Sequence, residues 1–235
     1  MRKLLLAAAA IFALGAATQA QAAPELSARI FQDGIAVPGT SATSTDGYLV
    51  VTGSTSNFSV LSTLALGYPL LDQPALDVQT TSISSRGNFS GSHSLTFEVT
   101  QTGLDSASAG TPIAALLSTF TANFLIKGEF VSNVTLSTYA DANNTAFGKS
   151  QLLSSVTYMT GPTNSSGALS SSPSLPNSLF SETVVITATF TGAGASLNAS
   201  SQIVAVPEPA SLALFGMGLL GMGLVRRRKT ASLQA

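Results

Sequence analysis

Ser94-Leu95-Thr96-Phe97-Glu98-Val99-Thr100 alternates without a break, with Leu95, Phe97 and Val99 on one side and Thr96 and Glu98 on the other. Only an extended backbone, whose successive side chains point to opposite faces, sorts such a stretch into one apolar and one polar surface. Nine further segments read as strands: Leu26 to Gln32, Tyr48 to Thr52, Phe58 to Leu64, Leu76 to Ile83, Phe120 to Lys127, Phe130 to Leu136, Leu152 to Met159, Glu182 to Phe190 and Leu197 to Val204. In the seventh of these ten segments, Phe130, Val134 and Leu136 are set against Val131, Asn133 and Thr135. Turn formers separate the segments, among them Asp33-Gly34, Asp46-Gly47, Arg86-Gly87-Asn88, Lys127-Gly128, Gly161-Pro162 and Gly192-Ala193-Gly194. About ten short strands with no long helical period predict an all-β chain, a β-sandwich of antiparallel strands, with a closed barrel as the alternative.

Two stretches depart from the alternation. Thr111-Pro112-Ile113-Ala114-Ala115-Leu116-Leu117 places Thr at an N-cap, Pro at the first helical position and good helix formers after it, which predicts one short helix over an open end of the sandwich. Gly161 to Asn177 carries Pro162, Pro173 and Pro176 among Ser and Gly, and reads as a loop. No cysteine occurs, so no disulfide can staple the fold and stability has to come from a packed core.

The two ends read as processing segments. Arg2 and Lys3 precede the apolar stretch Leu4 to Ala17, and Ala20 and Ala22 supply the small residues a signal peptidase needs. Residues 1–22 are therefore expected to be a secretory signal peptide cut before Ala23. At the other end, Val206-Pro207-Glu208-Pro209 is followed by 16 residues without an ionisable group, Ala210 to Val225, and then by Arg226, Arg227, Arg228 and Lys229. A helix over that run would be roughly 24 Å long, short of a ~30 Å hydrocarbon core, so it could span only with thinning of the bilayer or snorkelling of the arginines. Gly216, Gly218, Gly221 and Gly223 are never four apart, so the small-residue packing motif of permanent membrane helices is missing. The basic cluster should stay cytoplasmic, which puts Pro207 and everything before it across the membrane. The two prolines deny the helix an earlier start and present Glu208 on a stiff elbow.

Proline elbow, apolar helix and basic stop, in this order over Val206 to Lys229, resemble the PEP-CTERM sorting signal of exported Gram-negative proteins. The resemblance implies that exosortase, a membrane-embedded cysteine transpeptidase, reads Pro207, Glu208 and Pro209, removes the helix and passes the ectodomain onward. The chain then divides into a signal peptide (1–22), an exported β-sandwich domain (23–205), a sorting signal (206–229, made of the motif 206–209, the transmembrane helix 210–225 and the basic stop 226–229) and a cytoplasmic tail (230–235). On this reading the protein is anchored transiently in the inner membrane, and its mature form lies at the cell surface or outside the cell.

The exported part offers little chemistry. From Ala23 to Val206 there are 10 acids against 4 bases, about −6 if all ionise, which gives no electrostatic footprint for nucleic acid. His93, the single histidine, follows Gly91-Ser92 and is expected in a solvated turn; with no thiol beside it, no metal site needing two imidazoles or thiolates can form. Asp72 and Asp77 are expected to be turn carboxylates that cap backbone amides, and Asp141-Ala142-Asn143-Asn144 reads equally as a weak surface calcium loop or an Asx turn. No catalytic, cofactor-binding or metal residue is therefore assigned. Sequons begin at Asn57, Asn88, Asn133, Asn143, Asn164 and Asn198. The resemblance to PEP-CTERM proteins, together with the lack of catalytic groups, implies a non-enzymatic structural or adhesive role at the surface, in exopolysaccharide or biofilm. The alternative is an extracellular carbohydrate-binding module or hydrolase; sugars stack on aromatic rings, and for that the domain offers only Tyr48, Tyr68, Tyr139, Tyr158 and its phenylalanines, most of them on apolar strand faces.

Overall fold

The computed structural model describes residues 23–105, 113–159, 165–171, 175 and 179–207. The expected signal peptide with Ala20 and Ala22, the motif residues Glu208 and Pro209, the helix 210–225, the basic stop Arg226 to Lys229 and the tail 230–235 lie outside the described residues. So do Thr111, Pro112, Pro162, Asn164, Pro173 and Pro176.

Thirteen strands occur among the described residues, and every pairing between them is antiparallel. They are β1 (Glu25–Gln32), β2 (Ile35–Ala36), β3 (Ala42–Ser44), β4 (Tyr48–Ser54), β5 (Phe58–Leu66), β6 (Ala75–Ser85), β7 (His93–Asp105), β8 (Ile113–Ile126), β9 (Val131–Asp141), β10 (Gln151–Met159), β11 (Ser165–Ser171), β12 (Leu179–Phe190) and β13 (Ser196–Pro207). One sheet runs β10-β9-β12-β7-β1-β2, with β3 also on β1; the other runs β11-β8-β13-β6-β5-β4. All ten expected segments form strands, apart from Lys127 and Phe130 at the ends of two of them.

The inward faces carry the core that alternation marks out. Leu95, Phe97 and Val99 of β7, and Val184, Ile186, Ala188 and Phe190 of β12, meet Phe58, Val60, Phe120, Leu197 and Ile203 of the other sheet in one cluster. Phe58 and Phe190 lie 5.3 Å apart between ring centres, a tilted contact that ties the sheets near one end. The core is not wholly apolar: Ser118 of β8 and Thr138 of β9 join the two sheets through hydroxyls 2.7 Å apart.

Three expectations need correction. Ile113 to Leu117 is extended and opens β8, because its backbone pairs with β13 on one side and β11 on the other; two ladders outweigh the local preference of Ala and Leu for helix. Among the described residues the one helical turn is the 3-10 turn Gly128–Phe130. The loop expected over Gly161 to Asn177 contains β11, an edge strand paired with β8 from Ser165↔Ala122 to Ser171↔Leu116. Phe130 belongs to that 3-10 turn and is partly exposed, so the inward series of β9 starts at Val131 and continues through Val134 and Leu136.

The position of the last strand matters most for function. β13 lies between β8 and β6, and its pairing with β8 runs from Ser196↔Ile126 to Pro207↔Ile113. The first proline of the expected sorting motif is thus a strand residue at the centre of a sheet.

Candidate functional site

The outer face of the seven-stranded sheet carries polar and aromatic groups in register. Antiparallel register sets these groups in rows across the strands, with about 4.8 Å between strands and roughly 6.7 Å between rows. One row is Thr157, Thr135, Thr187, Thr96 and Phe31. Its hydroxyls pair, with Thr135 to Thr157 at 2.9 Å and Thr96 to Thr187 at 3.0 Å. The next row is Ser155, Ser137, Val185, Glu98 and Arg29, with Ser137 and Ser155 hydroxyls 2.8 Å apart. A third row holds Tyr139, Thr183, Thr100 and Ser27, of which Thr183, Thr100 and Ser27 are buried, so the hydroxyls open to solvent lie in the first two rows.

Glu98 is the centre of charge on this face. Arg29 reaches it from the neighbouring strand, with Nη2 2.6 Å and Nε 2.7 Å from Oε2, a fork geometry that a guanidinium holds well. Lys149 donates to Oε1. Two of the four bases in the exported domain therefore converge on one carboxylate. The Arg29 guanidinium also lies 3.9 Å from the centre of the Phe147 ring and 5.1 Å from that of Phe31, while Lys149 is 5.9 Å from Tyr139. Phe31, Tyr139 and Phe147 are all half-buried, so each keeps part of a ring toward solvent.

Lys149 and Phe147 reach this face because the β9–β10 loop is folded down onto it. Asp141 begins the loop as an Asx cap: Oδ1 accepts from the Asn143 amide at 3.4 Å and Oδ2 from the Thr145 amide at 3.1 Å. Burial works against the Asp141 carboxylate, but hydrogen bonds from Ser150, Thr145 and Asn143 outweigh it and hold the carboxyl below its ordinary value. Asn144 Oδ1 accepts from the Gly103 amide at 2.7 Å, and Ser181 Oγ donates to the Thr145 carbonyl at 2.8 Å, so the loop is tied to β7 and β12. Gly148 is required where it stands, since a Cβ there would come within 2.3 Å of Asp141 Oδ2. Of the two readings of this segment, the Asx turn is the one these bonds form.

The other acids single out no reacting pair. Asp72 is exposed in the β5–β6 turn, but Asp77 is a half-buried strand residue of β6 that accepts from Gln79 at 3.0 Å, so the expectation that both cap turns fails at Asp77. Burial raises the Asp77 carboxyl, with the Gln79 bond opposing. His93 is not in a solvated turn: it opens β7, mostly buried, with Nδ1 2.8 Å from Asp33 Oδ2 and its ring 5.2 Å from that of Phe89. Asp33 also accepts from the Ser94 amide at 2.7 Å, and these bonds outweigh burial to lower its carboxyl. Among the described residues no three His, Cys, Asp or Glu side chains cluster to hold a metal. Asn57 is buried and donates to the Asn88 carbonyl at 3.0 Å, so its sequon is closed to modification in the folded chain.

Sequence reasoning missed the Glu98 cluster, whose members lie 69 and 51 residues apart along the chain. It also missed Glu182, which is fully buried in β12 with neither carboxyl oxygen hydrogen-bonded within the protein. That burial raises its carboxyl to about 8, so it is mostly protonated at neutral pH and the exported domain carries one negative charge fewer than a plain count gives.

No curated protein matches the sequence. Among solved structures, the chain aligns with TmCBM61 in complex with β-1,4-galactotriose at 12% identity and TM-score 0.32, covering 68% of this chain and 90% of that one. It aligns with the K1 cleaved adhesin domain of Lys-gingipain from Porphyromonas gingivalis W83 at 13% identity and TM-score 0.34, covering 68% and 92%. It aligns with the CBM22-1 xylan-binding domain of Paenibacillus barcinonensis Xyn10C at 11% identity and TM-score 0.30, covering 70% and 85%. These likenesses are distant, and none carries a ligand over to this chain. Among the described residues no helix is long and apolar enough to cross a membrane. Residues 205–229 match the PEP-CTERM protein-sorting motif, which implies export, anchoring at the C-terminus and processing by exosortase: the chain is a protein that carries a PEP-CTERM sorting signal.

Proposed function

We propose that the exported sandwich is a non-enzymatic surface or matrix protein that associates with exopolysaccharide through the outer face of its seven-stranded sheet. The observation that carries this reading is the Glu98 cluster, where Arg29 and Lys149 are held in place beside three part-exposed rings at the end of the hydroxyl rows. Fixed cations, ring faces and rows of hydroxyls suit a long, neutral or weakly acidic polymer, because each repeat gains a modest contact and the sum is large. Glu98 is neutralised by two cations, which suits a holding role better than proton transfer.

Polysaccharide retention by residues 23–207 tests it. Arg29→Ala and Phe147→Ala should each weaken saturable retention on the host's exopolysaccharide about tenfold, the equivalent of roughly 1.4 kcal/mol, while thermal melts show the domain still folded. Equal retention by the folded variants and the wild type would sink the polysaccharide reading.

Processing is tested separately. In a host lacking exosortase the full-length chain should accumulate in the inner membrane, and the double variant Pro207→Ala, Glu208→Ala should do the same in a normal host. Release of either at the mature mass would refute recognition through Pro-Glu-Pro.

A further inference from the structure

β13 stays in the sheet up to Pro207, and the apolar run starts at Ala210. Three residue steps reach at most about 11 Å. A headgroup layer is roughly 5–8 Å deep on each side, so in the anchored precursor the end of β13 sits at, or within a few ångströms of, the lipid headgroups. There is no length for a free linker. Whatever surrounds the C-terminal end of β13 must therefore face the membrane.

Register identifies those surroundings. Val204 pairs with Ala75, Asp77 with Leu66 and Leu66 with Tyr48, so the β5–β6 turn and the start of β4 lie at this end. The turn Gly67 to Pro74 is held directly on β13, with the Ala205 amide donating to the Pro74 carbonyl at 3.3 Å. On its other side the Gln101 side chain clasps Tyr68, donating through Nε2 to the carbonyl at 3.0 Å and accepting from the amide at 3.2 Å. Gly47, at φ 80°, packs so closely that a Cβ there would meet the backbone nitrogens of Pro69 and Leu70 at 2.8 Å. This firmly held turn nevertheless turns apolar groups to solvent: Leu70 is 58% exposed, Tyr68 39% and Tyr48 beside them 52%.

We infer that Tyr48, Tyr68 and Leu70 form a membrane-resting foot, which seats the folded sandwich upright on a zwitterionic lipid surface while exosortase acts. Tyrosines place their rings at the headgroup level with the hydroxyl toward water, and an exposed leucine beside them enters the acyl boundary. The charged side chains of these two turns are Asp46 and Asp72, which disfavours strongly anionic lipid. The foot holds the Pro-Glu-Pro segment at one height, so the enzyme meets it in a fixed place rather than on a swinging tether.

The chain has no tryptophan, so a single one reports its own depth. Full-length protein from a host lacking exosortase, carrying either Leu70→Trp or Ile126→Trp, is reconstituted in phosphatidylcholine and phosphatidylethanolamine vesicles that contain brominated lipid. Ile126 is also 58% exposed but lies at the opposite end, opposite Ser196 at the start of β13. The Leu70→Trp protein should lose at least half its emission to the bromines and shift to the blue, whereas the Ile126→Trp protein should do neither. Absence of quenching at Leu70→Trp in protein that floats with the vesicles overturns the foot, and equal quenching of both variants overturns the upright stance. Neither outcome bears on polysaccharide retention.

Discussion

Glu182→Gln should remove a large pH dependence of folding stability. In the native protein the Glu182 carboxyl has no hydrogen-bond partner within the protein and is raised from 4.5 to about 8 by burial. Between those two values the unfolded chain has released the proton and the folded chain keeps it, so stability falls as pH rises through this window. The difference of about 3.5 pH units corresponds to roughly 5 kcal/mol at most, present in full below about pH 4.5 and lost by about pH 8. That loss is comparable with the whole stability of an ordinary domain. Denaturant titrations of residues 23–207 at pH 5 and pH 8 should show the wild type markedly weaker at the higher pH and the glutamine variant nearly level. A wild type equally stable at both values would mean that the carboxyl finds a partner or solvent in solution. Glu182 stands beside Gln101 across the strands, but the Gln101 amide is bonded to Tyr68 at both its ends and makes no bond to the carboxyl.

A chain of residues 23–195 should fail to fold, whereas 23–207 should fold. Most sandwiches tolerate loss of an edge strand better than loss of a central one. Here the last strand is central: removing β13 separates β8 and β11 from β6, β5 and β4, and leaves two unpaired sheet edges in place of two ladders. It also strips Leu197, Ala199 and Ile203 from the core, all of them buried, with each large side chain worth roughly 1.5–3 kcal/mol. The loss exceeds the marginal stability available to a domain of this size. Amide proton spectra should be collapsed for the shorter chain and dispersed for the longer one, and a cooperative melt of the shorter chain would overturn the argument. For an exosortase substrate this has a direct consequence. Cleavage must fall beyond Pro207 for the released domain to keep its centre, because the first residues of the sorting motif belong to the last strand.

Much of this architecture was legible in the residues. Leu95, Phe97 and Val99 face inward because alternation leaves an extended strand one way to hide its apolar groups. Alternation also put Glu182 on the same face as Val184 and Ile186, although a plain charge count treated it as a solvated acid. Where local signals failed, a ladder had prevailed. Ile113 to Leu117 looks helical by composition, but β13 and β11 satisfy its backbone more completely than a short helix at a chain bend could. Ser165 to Ser171 has no alternating apolar pattern, since an edge strand can hold its place largely by backbone pairing with β8.

By itself, the sequence determined the strand-forming segments, their inward faces and the sorting signal that follows them, because alternation, turn chemistry and a proline-apolar-basic tail are all local patterns. Only tertiary structure decided that the final strand lies at the middle of a sheet, that Arg29 and Lys149 meet on Glu98, and that Tyr48, Tyr68 and Leu70 gather beside the end of β13. A strand's own residues say which side it hides but not which strand it pairs with, and that choice is settled by the closing of the whole core.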